Sequence, residues 1–375
     1  MRHGADRSNV DYVWPKTLVQ PPRPPLLVYL DLNHWISFAK AVAGHSEGKP
    51  FLALFEACLS AARERKAVFP LSDTIYYEVN KIRNHRQRRD LRLAMEPLSK
   101  YLVVTSRPTI ARHEIEALLD DVVGQSDSAL NTISYLDWGV ARAFGFVGGF
   151  RVVSGEQGQD VTEQVRQSFP EGPEAFDAVL AEAELSLNRS MIEGPTPDEE
   201  PELRKLGWNP EGTIEIAEKR AQQEREQAQR LNDYEVGSLA DGHGPRRWRR
   251  GRIRDVVAAR EVSLELIDFI TESVMRRNTS IGTIFQDKDS VRRFGDSMPS
   301  TDVAVTIKTA LHRNQEHRWA PNDISDIDAL GSTIPYCDVV VSDSAMVAIA
   351  TDTGLAERLN TSVLSDLIEL ESHIG

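Results

Sequence analysis

The feature that most constrains this chain is a set of short, wholly apolar runs, each leading into a helical pattern, split between its two ends. Leu26-Leu27-Val28-Tyr29-Leu30 follows a proline cluster and does not alternate with polar residues, so it reads as a strand buried on both faces. Asp31 stands at its carboxyl end. Apolar positions between Trp35 and Arg65 then suggest two helices broken near Gly44 to Pro50, and Ala67-Val68-Phe69-Pro70-Leu71 reads as a second strand. Ser72 or Asp73 offers an N-cap to a helix in which Ile75, Tyr76, Val79 and Ile82 keep three-and-four spacing and which carries Glu78. A further helix over 89–98 and a third strand, Tyr101 to Val104, complete the first hundred residues.

The alternation resumes near the end. Ile324, Ile327, Leu330 and Ile334 predict a helix over 322–334, and Cys337 to Val341 a strand that finishes in Ser342-Asp343. A helix over 346–359, a strand over 361–364 and a last helix from Ser365 follow. Strand alternating with helix predicts an α/β fold with a central parallel sheet and helices on its faces.

Between 107 and 319 the pattern is mainly helical, with polar joints and no run that reads as a buried strand. The expected organisation is a flexible leader over 1–25, an α/β domain from 26–106 and 320–375, and a helical insertion over 107–319. Residues 211–233 are almost uniformly charged, as in a solvated helix or arm. A chain of 375 residues, 41% of them hydrophobic, can bury a core without staples. Cys58 and Cys337 lie far apart and outside any Cys/His cluster, so nothing in the sequence points to a structural zinc site or a secreted disulfide framework. The polar, proline-rich leader has neither the core of a signal peptide nor a membrane span, so a cytoplasmic location without membrane contact is expected.

A formal net charge of −13 argues against holding nucleic acid through an overall positive field. Local basic clusters can still do so. The richest runs from Arg246 to Arg254, six arginines around Trp248, and its Arg247, Trp248, Arg249 and Arg250 could meet phosphates and stack on a base. The plainer reading is a solvated loop or an internal partner for the many acids. A second cluster, Lys81 to Arg92, follows Glu78 directly and offers Arg83, Arg86 and Arg89.

The acids carry the chemistry. Asp31 and Asp343 end apolar strands from opposite ends of the chain, and the crevice beyond the carboxyl ends of parallel strands is where ligands bind. Glu78 lies within reach of the same edge. Asp323, Asp326 and Asp328 crowd the helix before the last of these strands, and Asp338 is a further candidate at the start of the strand. Several converging carboxylates repel one another unless cations are present, and hard Mg2+ or Mn2+ favours such oxygen ligands.

These residues resemble the PIN-like domains, many of which are metal-dependent ribonucleases. Leu30-Asp31-Leu32-Asn33 matches the family's opening strand, aspartate and nearby asparagine. Phe69-Pro70-Leu71-Ser72 leading to Glu78 matches the strand, hydroxyl residue and acid-bearing helix, and Asp326 followed by Val339-Val340-Val341-Ser342-Asp343 matches the later acids. The resemblance covers roughly 26–106 and 320–375 and departs from compact members in the long insertion and in His34-Trp35. It implies a three-layer α/β/α core and endonucleolytic hydrolysis of RNA, in a toxin-like or defence-related setting. Asp31, Glu78, Asp326 and Asp343 would hold Mg2+ or Mn2+, with Asn33 and Ser342 orienting them and His34, Asp323, Asp328 and Asp338 as further candidates. The insertion would govern access or bind a protein partner.

Three other readings compete. Asp31 could simply cap the following helix, and Glu78 could be a solvated helical residue. A PIN-fold scaffold could bind RNA or protein without cutting. A phosphatase of the haloacid dehalogenase type also begins with an aspartate after an apolar strand, but the acid it needs two residues later is Asn33 here. No Gly-rich phosphate loop, GxSxG elbow or HExxH occurs, and composition does not separate RNA from DNA.

Overall fold

The computed structural model describes residues 25–124, 135–146, 150–155, 158–206, 209, 211–240 and 251–374. The leader up to residue 24 and the Arg247-Trp248-Arg249-Arg250 stretch lie outside the described residues. The protein is an α/β molecule, mostly helical, around a four-stranded parallel sheet.

Strand β1 (Leu26–Leu30) leads into α1 (Leu32–Val42), a 3-10 turn (Ser46–Phe51), α2 (Leu52–Arg63) and β2 (Ala67–Val68). Helices α3 (Asp73–Lys81) and α4 (His85–Ser99) precede β3 (Leu102–Val104) and α5 (Arg107–Val123). Strand β4 (Leu136–Trp138) opens a long helical stretch whose main members are α6 (Pro173–Glu193), α7 (Gly212–Ala240), α8 (Ile253–Arg260), α9 (Ile267–Arg276) and α10 (Pro299–Arg313). The end of the chain supplies α11 (Pro321–Thr333), β5 (Val339–Val341), α12 (Ser344–Asp352), α13 (Leu355–Leu359) and β6 (Ser362–Leu364).

The sheet order is β2-β1-β5-β6, with Val28 opposite Val339 and Leu30 opposite Val341. Successive residues of a strand face opposite sides, and Leu27, Val28, Tyr29, Leu30 and Val339, Val340, Val341 are all buried. Helices therefore cover both faces, the situation that non-alternating strands require.

The sequence departs from this picture in two strands. The run 67–71 is expected to be one strand, but only Ala67 and Val68 pair with β1. Pro70 has no N–H to give, and Leu71 instead pairs with β3, donating to Leu102 and accepting from Val104, both at 2.8 Å. The stretch after 107 is read as lacking a buried strand, yet β4 runs antiparallel to β3 with Leu136 and Asp137 buried. Three residues ending at Trp138 are too few for a periodic signal.

The main hydrophobic core draws on both parts of the sequence. Beside the strand residues it contains Ile192 of α6, Ala221 of α7 and Val303, Ala304 and Ile307 of α10. A smaller core joins Ala111, Ile115 and Leu119 of α5 to Ile270 and Val274 of α9. Both cysteines are buried and neither is in a disulfide. No described helix is long and apolar enough to cross a membrane.

Candidate metal centre

The helix after β1 leads towards β2 on one side, and the helix after β5 leads towards β6 on the other. The gap between the carboxyl ends of β1 and β5 is thus a switch point, where an open α/β sheet forms a crevice. Asp31 and Asp343 sit at its two lips. Asp31 extends the pairing by one residue, its N–H donating to Val341 O at 3.0 Å.

Both aspartates cap the helices that follow them. Asp31 Oδ1 accepts from Leu32 N at 2.6 Å, and Asp343 Oδ1 accepts from Ala345 N at 2.8 Å and Met346 N at 3.2 Å. Capping and site formation are compatible here. The caps use one oxygen of each carboxylate and fix the side chain at a helix N-terminus, which favours negative charge.

Asp326 comes from α11, whose start is set by Pro321 at its first position and by Asp323, which accepts from Ala320 N at 2.7 Å. One carboxylate oxygen from each of Asp31, Asp326 and Asp343 can be chosen so that all lie within 4.8 Å of one another. Glu78, from α3, stands beside this triad. Among the described residues no group donates a hydrogen bond to the carboxylate of Glu78 or of Asp326.

The electrostatics follow from that crowding. Burial, and then the charges of Asp31, Asp343 and Glu78, push Asp326 up to about 8. Burial and Asp31 push Glu78 up to about 7, against the opposing charge of Lys81. Asp31 is raised by burial, with the Leu32 N–H and His34 acting the other way. Every donor of the cluster is a carboxylate oxygen. Such a set fits a hard divalent cation such as Mg2+ or Mn2+ and lacks the nitrogen and sulfur ligands that favour zinc.

The other sequence candidates separate clearly. His34 reaches across from α1, its Nε2 lying 3.4 Å from Ser342 O, so the two lips are tied together; burial lowers its pKa. Ser342 is buried, and its N–H pairs with Leu364 O. Asn33 is exposed in the first turn of α1, where its carbonyl accepts from Ser37 Oγ. Asp323 serves the α11 cap and His317, 3.1 Å from its Nε2.

Asp328 and Asp338 are not part of the cluster. Asp328, two residues after Asp326, faces the interior, where Arg107 Nε donates to it at 2.8 Å and Arg220 grips both its oxygens. Asp338 lies at the opposite end of β5 and accepts from Leu27 N at 2.8 Å. Neither turn of events is visible in a list of nearby acids, because helical phase and strand end decide them.

Of the basic candidates, Arg83 is exposed and paired with Glu211 at 3.2 Å, while Arg86 and Arg89 are exposed on α4. Two further residues bear on the site, Tyr29, which the sequence reading did not single out, and Lys81, which opens the second basic cluster. The Tyr29 hydroxyl lies under it, 3.1 Å from Ser72 Oγ, which is itself 2.6 Å from Thr74 Oγ1 and caps α3 through Ile75 N. Lys81 reaches from α3 to Asn322 Oδ1 on α11, 3.5 Å away. The tyrosine in an otherwise aliphatic strand, and the lysine three residues after Glu78, were the available signals. No protein-family model, curated protein or solved structure matches the chain.

Proposed function

We propose that this protein is a divalent-cation-dependent nuclease of the PIN-like type that hydrolyses phosphodiester bonds in RNA at the Asp31, Glu78, Asp326 and Asp343 cluster. One observation carries the reading: three aspartates converge within 4.8 Å at the sheet's switch point, while the carboxylates of Asp326 and Glu78 lack hydrogen-bond donors among the described residues and sit at about 8 and about 7. Among the described residues no cationic side chain donates to Asp326 or Glu78, although the charge of Lys81 acts on Glu78 and that of His34 on Asp31. The strand order, the acid-bearing α3 and α11, and the Ser72 cap support the three-layer PIN-like core.

A bound Mg2+ or Mn2+ supplies a more acidic water and neutralises charge developing on a phosphate. The chain's own part is positional. Asp31 and Asp343, anchored by their caps, hold two lips of the crevice at a fixed separation; Asp326 closes it from α11, and Glu78 flanks it from α3. His34 and Ser342 keep the lips in register. Arg86 and Arg89 offer exposed charge for a nucleic-acid backbone.

The test is hydrolysis of labelled RNA with Mg2+ or Mn2+, comparing the wild type with Asp31→Asn and Asp343→Asn. The expected loss is at least about a hundredfold for each, since even residues that only support metal ligands are worth 10–100-fold. Equal cleavage by wild type and variants would remove the assignment. Tight RNA binding with no cation-dependent turnover would favour the non-cutting scaffold.

A further inference from the structure

Resting on that reading, we propose that Lys81 contacts a phosphate next to the scissile one, so that the site acts on polynucleotides extending past the cleaved bond on the α3/α11 side. Lys81 follows Glu78 by three residues on α3, and Asn322 precedes Asp326 by four on α11. Residues three or four apart on a helix lie on one face, one above the other. The two helices pack together, and Lys81 Nζ lies 3.5 Å from Asn322 Oδ1. Two rungs therefore bridge α3 and α11: an inner acidic one, Glu78 and Asp326, and an outer one, Lys81 and Asn322.

The outer rung is open to solvent, since Asn322 is exposed and Lys81 half-buried. At a rise of 1.5 Å per residue it stands about 5 Å further out along the helices than the acids. An ammonium at that distance is displaced from the reacting phosphate and placed beside the next one along a strand. Its Asn322 partner is neutral and holds the lysine in position without cancelling its charge. Arg83 stands two residues further on, but its charge is already engaged by Glu211.

The experiment compares two substrates at several salt concentrations with Mg2+ present: a dinucleoside monophosphate, with a single phosphodiester, and a single-stranded oligonucleotide of about ten residues. The variants are Lys81→Met and Lys81→Arg. In the wild type, kcat/KM should favour the longer substrate. Lys81→Met should lower kcat/KM for it about tenfold more than for the dinucleotide, mainly through KM, and flatten the log–log salt dependence by roughly 0.7, the slope of one phosphate contact on a single strand. Lys81→Arg should restore most of both.

Equal losses on the two substrates with an unchanged salt slope would overturn the proposal and make Lys81 a strut between α3 and α11. That result leaves the nuclease assignment standing. The assignment fails separately, if wild type and Asp31→Asn cut the longer substrate alike.

Discussion

Asp326 and Asp328 lie two residues apart on α11 and meet opposite fates. Asp326 faces the switch-point crevice, where its carboxylate accepts no hydrogen bond from a described residue and is raised to about 8 by burial and by its acidic neighbours. Asp328 faces inward, where burial opposes its ionisation but Arg220 and Arg107 hold it well below the usual carboxylate range. Its neighbourhood is a closed ionic network. Arg107 Nη1 donates to Glu261 at 2.7 Å, Lys308 Nζ meets Glu261 at 2.7 Å and Glu224 at 3.3 Å, and His312 Nε2 lies 2.9 Å from Glu224. Burial opposes ionisation of Glu261 too, yet Lys308 and Arg107 hold it down to about 2. One side of the helix carries an acid gripped by two arginines, and the other carries an acid to which no described side chain donates.

The contrast assigns the helical stretch a mechanical part. Arg107 starts α5, Arg220 belongs to α7, Glu261 follows α8 and Lys308 lies on α10, so four segments grip α11 through Asp328 and its partners. Gly331 lets Arg107 lie against α11: a Cβ there would come within 2.5 Å of Arg107 Cδ. Breaking this grip should have the largest effect on the fold. Arg107→Met keeps much of the volume and leaves Asp328 and Glu261 without their shared guanidinium. Removing one member of a buried pair typically costs 3–5 kcal/mol, and urea unfolding should show a loss of about that size. A loss below about 1 kcal/mol would mean that the network is no tighter than a surface ion pair.

The opposite side should respond to pH and to added cation. Asp326 and Glu78 bind protons more tightly in the fold than in the unfolded chain, where they sit near 3.8 and 4.5. Stability without a divalent cation must then fall as pH rises from about 4 through about 8, because the native state holds the extra protons. On the proposed reading Mg2+ competes with those protons, so its stabilisation should grow over the same window. At a hundredfold excess over Kd it is worth about 2.7 kcal/mol. Melting curves with and without Mg2+ should separate by several degrees at about pH 8 and much less at about pH 5.5. A separation that does not change with pH would show that these acids are not where the ion binds.

Much of this was legible in the sequence, and the limits have physical causes. Non-alternating apolar runs mark strands buried on both faces, so β1 and β5 and the aspartates that end them could be read directly. Glu78 was singled out by its place after Ser72 and Asp326 only by the family resemblance, with Asp323, Asp328 and Asp338 left as alternatives. What could not be read is what lies behind a helix: Asp323, Asp326 and Asp328 look alike until the phase of α11 is set, and that phase depends on Arg107 and Arg220, 221 and 108 residues away from Asp328. Strand β4 was too short to show periodicity, and Pro70 hid the change of partner within 67–71. The sharing of one core by α6, α7, α10 and the sheet is a long-range fact with no local signature.

The mildest change separates the two sides of α11 most cleanly. Asp326→Asn keeps the shape of the side chain and removes the charge that the crevice repels. Without a cation it should therefore stabilise the fold, by roughly 1–2 kcal/mol near neutral pH once solvent screening is allowed for. In the same variant the Mg2+-induced rise in melting temperature should shrink towards zero, because the proposed site loses one of its carboxylates along with the repulsion. Asp328→Asn should do the reverse, destabilising the protein while leaving a response to Mg2+ wherever it still folds. If Asp326→Asn were instead destabilising, Asp326 would have to be held by contacts of its own, and the two faces of α11 would differ less than their geometry shows.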